Sequence, residues 1–152
     1  MIINNTIIFD LDGTLALIHK RREISNNEDG SINWDRFFEP KNIALDEPNE
    51  PVIHMARTLK KDGFNIVIFS GRSDRTKDAT MEWLSKYDVP YDALHMRPEE
   101  HLFMPDNELK EMWLNSKVDK DDIFMVFDDR NQVVKMWRDK GIAVFQVADG
   151  NF

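Results

Sequence analysis

Residues 7–14 read Ile-Ile-Phe-Asp-Leu-Asp-Gly-Thr, and this stretch decides the fold. Ile7, Ile8 and Phe9 form a short apolar run without polar alternation, the pattern of a strand buried on both faces. Asp10 and Asp12 follow, two residues apart, and Gly13 lets the chain turn. In a parallel α/β sheet, ligands bind at the carboxyl ends of the strands. Two carboxylates at such an end are a cue for chemistry. One can bind a cation and attack an electrophile, and the other can exchange a proton with a leaving group.

Working outward, similar apolar runs recur at Asn65–Phe69, Ile123–Phe127 and Ala143–Val147, with a weaker one at Ala93–Met96. Helical spacing lies between them. Val52, Met55, Ala56 and Leu59 precede a stop signal at Gly63; Met81, Trp83, Leu84 and Tyr87 form a second stripe. Leu109, Met112 and Trp113 form a third, and Val133, Met136 and Trp137 a fourth before Gly141. Strands alternating with helices predict a Rossmann-like, doubly wound α/β fold, with the strand of Asp10 central beside that of Asp128. One segment, about 18–51, breaks the rhythm. It is polar, carries a turn signal at Asn26–Ser31, and contains Trp34, Phe37 and Phe38. It is expected to be a small cap inserted after the first strand of a single domain, with its aromatics packing on the body rather than stacking a base.

The 152 residues include no cysteine, which excludes disulfides, a thiolate zinc site and a cysteine nucleophile. This fits a reducing compartment, and a cytoplasmic location is expected. No run of roughly 18 apolar residues exists to span a membrane. The first residues lack the basic n-region of a signal peptide and are interrupted by Asp10 and Asp12. With 28 acidic and 20 basic residues the net charge is −8, and the pI is near 5.0. That balance argues against a broad, sequence-independent grip on nucleic acid, but allows a local site for a phosphate end.

The other strand ends carry matching chemistry. Ser70 can donate to a phosphate oxygen, Gly71 allows close backbone approach, and Arg72 offers a planar fork. Asp128 and Asp129 end the third major run and call for a cation between them and Asp10. An oxygen-only donor set selects a hard ion, Mg²⁺. Asp10, Asp12, Asp128 and Asp129 would together crowd four negative charges into one pocket. Mg²⁺ offsets two of these. Lys110, on a helix preceding the Asp128 strand, and Arg72, Arg97 or both would supply the rest. Such an assembly suits phosphoryl transfer.

In this order, DLDGT at 10–14, Ser70, Lys110 and Asp128-Asp129 resemble the motifs of the haloacid dehalogenase superfamily. Lys20-Arg21, SGR at 70–72, MR at 96–97, Asp106 four before Lys110, DDR at 128–130, MWR at 136–138 and Gly-x-Phe at 150–152 extend the likeness. They make it closest to the 3′-phosphatase domains of phage polynucleotide kinases, over nearly the whole chain. The resemblance implies Asp10 as nucleophile, forming an aspartyl-phosphate, and Asp12 as the acid that protonates the leaving oxygen and then activates water. It implies Mg²⁺ on Asp10, the Asp12 carbonyl, Asp128 and Asp129, and a phosphoryl clamp of Ser70 and Lys110. Thr14, Gly71, Arg21, Arg72 and Arg97 join the substrate-binding set, with the arginines serving substrate phosphate or the internal charge network. Asp106 would orient Lys110 or cap its helix. Arg21, in the cap, is expected to meet the phosphodiester next to the reacting phosphate. The implied substrates are 3′-phosphate ends of DNA or RNA. Free nucleotides or other small phosphomonoesters are the alternative, and a non-catalytic phosphate-end binding module is a third. No GxxxxGK[ST] loop is present, so 5′-kinase activity does not carry over. Arg130 is expected to face its own helix or solvent. His19, His54, His95 and His101 have no metal-ligand spacing, and Trp83, Trp113, Trp137 and the methionines are expected in the core.

Overall fold

The computed structural model describes residues 4–152. Five parallel strands form the central sheet in the order β5-β4-β1-β6-β7. They are β1 (Thr6–Phe9), β4 (Asn65–Ser73), β5 (Ala93–Arg97), β6 (Ile123–Asp128) and β7 (Val144–Gln146). The helices between them are α3 (Glu50–Lys61), α4 (Lys77–Lys86), α5 (Asp106–Ser116) and α6 (Asn131–Asp139).

The period-two geometry of a strand sorts the apolar runs onto two faces. Ile7, Phe9, Ile66 and Ile68 pack with Ile53, Ala56, Leu59, Trp83 and Leu84 of α3 and α4. Ile8, Val67, Phe69 and Val126 pack with Leu109, Trp113, Val133 and Trp137 of α5 and α6. Both faces of β1 are covered, which is why it reads as an unbroken apolar run. The chain moves from β1 to β4 and β5, then returns to the other side of β1 for β6 and β7. The switch point of the doubly wound sheet therefore lies between β1 and β6, where Asp10 and Asp128 emerge.

The expected insertion has structure of its own. A short antiparallel pair, β2 (Ala16–Leu17) with β3 (Glu47–Pro48), draws its ends together. Between them lie α1 (His19–Ile24), α2 (Trp34–Phe37) and a 3-10 helix at Pro40–Leu45. Glu50 and Pro51, counted with the insertion from sequence, instead open α3, where proline suits the first turn. Phe37 is buried, but Trp34 is exposed and stacks on Phe38. Arg75, before α4, donates to the carbonyls of Asp35 and Phe38 and ties α2 to the body. All three core tryptophans expected from sequence are buried. Met55 and Met81 are exposed and do not fill the core.

Candidate active site

Asp10 leaves β1 with its side chain buried, and its main-chain N–H donates to the Phe127 carbonyl of β6 at 2.9 Å. Carboxylate oxygens of Asp10, Asp128 and Asp129 lie within 4.8 Å of one another. Lys110 rises from α5 on the face below, 2% exposed. Its Nζ donates to Asp10 Oδ1 at 2.8 Å and Asp128 Oδ2 at 2.9 Å. Gly13 adopts a left-handed φ of +84°, and a Cβ there would stand 2.1 Å from Asp129 Oδ2. The glycine both turns the chain and makes room for the third carboxylate.

The electrostatics follow from this packing. Burial raises the Asp10 carboxyl well above its ordinary value, and repulsion from Asp128 and Asp129 adds to it, with Lys110 pulling the other way. Burial also raises Asp129, with Asp128 adding to the shift. Burial works against the Lys110 charge, but Asp10 and Asp128 outweigh it and hold the ammonium firmly protonated. Three carboxylates and one ammonium sum to −2 when all are ionised, which suits one divalent cation. The donor set is all oxygen, as a hard ion requires. The triad can hold a metal.

Asp12 does not share this cluster. Its side chain turns into a second, neutral box of two acids and two arginines. Oδ1 accepts from Arg21 Nη2 at 2.8 Å and Arg72 Nε at 2.7 Å. Asp46, just before β3, accepts two hydrogen bonds from Arg21 and one from Arg72. Arg72 also donates to Thr80, and Trp83 Nε1 donates to the Asp46 carbonyl. Burial opposes the Asp12 charge, but Arg21 and Arg72 overcome it and hold the carboxyl below its usual value. Burial lifts Asp46 to about 6, with Asp12 adding to the shift and the two arginines opposing it. The fourfold crowding expected from sequence is therefore split. The arginines answer Asp12, and only three acids are left for a metal and Lys110.

Several expected substrate contacts take a different form. Arg21 is fully buried, lies 4.3 Å from the Phe37 ring centroid and is held by Asp12 and Asp46, so it cannot reach a neighbouring phosphodiester. Arg72 is likewise enclosed and serves the internal network. Thr14 is buried, and its hydroxyl donates to Asp10 Oδ2 at 2.8 Å, which fixes the orientation of Asp10. Arg97 directs its donors to the carbonyls of Gly71, His101 and Met104 and to Asp106, pinning the loop before α5. Asp106 neither caps α5 with its side chain nor bonds Lys110. It bridges Arg97 and Arg130, and reaches Lys110 only through its field. Arg130, expected to face its own helix or solvent, is thereby part of the rim. A Cβ at Gly71 would stand 2.7 Å from Asp106 Oδ1, so the glycine leaves that carboxylate its place beside Arg97. Ser70 is buried and its Oγ accepts from Arg72 N–H at 3.2 Å, leaving its O–H free to donate. Asp46 was missed from sequence. The available signal was charge balance, since two arginines brought to one aspartate demand a second acid.

A family model described as polynucleotide kinase PNKP phosphatase domain matches residues 4–152. The "Putative bifunctional polynucleotide kinase/RNA ligase" of Autographa californica nuclear polyhedrosis virus is 34% identical over 146 residues, covering 93% of this chain and 19% of that protein. A chain in the solved structure of a Pnkp1/Rnl/Hen1 complex superposes with a TM-score of 0.76 at 32% identity, over 97% of this chain and 46% of that one. The chain thus spans about a fifth of the viral relative and under half of the Pnkp1/Rnl/Hen1 chain. A haloacid dehalogenase-like hydrolase from Streptococcus pneumoniae shares the fold, with a TM-score of 0.62 at 15% identity over 93% of this chain and 83% of that one.

Proposed function

The chain belongs to the family of polynucleotide kinase PNKP phosphatase domains, haloacid dehalogenase-type phosphatases, and from that premise we propose that it removes 3′-phosphates from polynucleotide ends through an aspartyl-phosphate. The observation that carries the reading is the buried meeting of Asp10, Asp128 and Asp129 with Lys110 at the switch point of the sheet. Residues 4–152 act as one phosphatase domain, with the segment between β2 and β3 as its cap.

In the proposed reaction an Asp10 carboxylate oxygen attacks phosphorus and the bond from phosphorus to the 3′-oxygen breaks. Asp12 gives its proton to that oxygen. Water then attacks the aspartyl-phosphate, Asp12 takes the water proton, and phosphate leaves with the Asp10 carboxylate restored. Thr14 fixes the Asp10 rotamer. Ser70 O–H and Lys110 Nζ hold the phosphoryl oxygens as charge builds on them. Mg²⁺, held by Asp10, Asp128, Asp129 and the Asp12 carbonyl, would neutralise charge between nucleophile and phosphate when bound. Arg21, Arg72 and Asp46 hold Asp12 in place, while Arg97 and Asp106 fix the start of the Lys110 helix.

The reading is tested by comparing rates on matched 3′-phosphate oligonucleotides, 5′-phosphate oligonucleotides and 3′-mononucleotides, each with Mg²⁺ and with EDTA. The 3′-phosphate oligonucleotide should be preferred and EDTA should stop turnover. Equal rates on free 3′-mononucleotides, whatever the salt, would instead favour a nucleotidase. Mg²⁺ should also raise the melting temperature, because it binds only the assembled triad. Full activity after exhaustive chelation would defeat the metal assignment.

Lys110 offers a separate test. Lys110→Met keeps the apolar stem but leaves the triad without its buried cation. Removing one partner of a buried ion pair costs about 3–5 kcal/mol, so the metal-free variant should melt markedly earlier. Added Mg²⁺ should recover part of that loss without recovering kcat. Lys110→Arg should not restore turnover, since a planar fork does not fit where a compact ammonium bridges Asp10 and Asp128. A Lys110 variant with near-normal kcat would move the phosphoryl clamp elsewhere.

A further inference from the structure

Three side chains at the rim have no part in the reaction just described. Arg22 follows the buried Arg21 on α1. Its side chain is exposed and makes no ion pair or hydrogen bond among the described residues. Its guanidinium carbon lies 5.7 Å from the ring centroid of Phe152. The guanidinium carbon of Arg130 stands 5.3 Å from the same centroid, and its Nε donates to the Phe152 carbonyl at 2.9 Å.

The segment bearing Phe152 is firmly seated. The Asn131 N–H donates to the Gly150 carbonyl at 2.9 Å. A Cβ on Gly150 would lie 1.8 Å from the Asp129 carbonyl, so the chain presses directly on the loop that carries the carboxylate pair. Phe152 is nonetheless 54% exposed. The ring thus lies near Arg22, whose preceding residue on α1, Arg21, reaches Asp12, and near Arg130, whose preceding residue, Asp129, belongs to the triad. An exposed aromatic ring beside an unpaired guanidinium, next to residues that adjoin Asp12 and the triad in a chain of net charge −8, is the chemistry of a small nucleotide subsite.

We propose that Phe152 and Arg22, with Arg130 positioning the ring, hold the terminal nucleotide of the strand: Phe152 stacks its base and Arg22 pairs with the phosphodiester on its 5′ side. Arg22 supplies the exposed cation that the buried Arg21 cannot. The inference rests on the polynucleotide 3′-phosphatase reading and adds the residues that distinguish a strand end from a small phosphate.

The test measures kcat/KM of the full chain on four substrates: a 3′-phosphate oligonucleotide, the same strand with an abasic terminal residue, a 3′-mononucleotide, and p-nitrophenyl phosphate. Arg22→Ala should lower the oligonucleotide value roughly tenfold and flatten its dependence on salt by about one unit of log–log slope. It should leave the 3′-mononucleotide, which has no 5′ phosphodiester, near wild type. Phe152→Ala should lower the oligonucleotide and mononucleotide values roughly tenfold, with the loss disappearing on the abasic strand. Phe152→Trp should retain activity. Losses equal on all four substrates, or no loss on the oligonucleotide, overturn the subsite. If the wild type itself hydrolyses p-nitrophenyl phosphate but not the oligonucleotide, the polynucleotide reading fails and the subsite fails with it. If the wild type prefers the oligonucleotide and the variants do too, only the subsite fails.

Discussion

Asp10→Asn is expected to abolish turnover and phosphoenzyme formation while leaving the metal-free protein at least as stable as the wild type. An amide cannot form the acyl-phosphate, so no residual pathway runs through this residue. The stability expectation comes from the environment of the carboxyl. Burial and the neighbouring Asp128 and Asp129 raise it well above 3.8, against the pull of Lys110. A group raised on folding adds stability at pH values below its unfolded pKa, and that stability is lost as pH rises through the folded pKa. The uncharged Asn avoids this loss. The melting temperature of the variant relative to wild type, measured in EDTA, should therefore rise from acid to neutral pH. Lys110 keeps Asp128 as a partner, and Thr14 can still donate to the side-chain oxygen. Mg²⁺ should stabilise wild type far more than the variant, because one of three carboxylates is gone. Turnover above the uncatalysed background, or a metal response equal to that of wild type, would remove Asp10 from the centre of the site.

Much of this was legible because it is local. Ile7 to Gly13 carries a buried strand, its end and its turn in one stretch, and the alternation of Ile66 and Ile68 with Val67 and Phe69 shows how two helical layers divide the sheet. The strand-end position of Asp10 and Asp128 followed from the same pattern, whereas β4 runs on past Ser70 to Ser73 with a register shift against β5. What escaped was pairing across distance. In Lys20-Arg21-Arg22 the two arginines differ by one helical step, and nothing in that run says which points inward. The decision is made by Asp46, 25 residues on, and by the ring of Phe37. Asp106 reads as a helix start, yet its partners Arg97 and Arg130 lie nine residues before and 24 after it. Buried charge is settled by such long-range partners, because an ion in the interior must find a counterion wherever the fold brings one. A sequence pattern records the burial of apolar groups far more directly than it records these matches.

Asp12→Asn should separate proton transfer from attack. In the resting site Asp12 is held ionised by Arg21 and Arg72, whose pull exceeds the opposing effect of burial. An acid catalyst must carry a proton when the bond breaks, so only the protonated fraction is competent, and that fraction shrinks as pH rises. For a poor leaving group such as a nucleoside 3′-oxygen, kcat/KM should therefore decline toward alkaline pH. For p-nitrophenyl phosphate, whose leaving group needs no proton, that decline should be absent. Asp12→Asn should erase the difference in profile. It should cost the poor leaving group roughly the 10²–10⁴-fold typical of general acid–base groups, and the good leaving group much less. The same substitution has a stability signature of opposite sign to that of Asp10. A carboxyl depressed on folding contributes stability above its unfolded pKa, and that contribution is lost as pH falls through the folded value. The variant should melt below wild type at neutral pH, with the gap closing in acid, because Arg21 and Arg72 then lose the carboxylate they share. Equal losses on good and poor leaving groups would make Asp12 an anchor for the two arginines and nothing more.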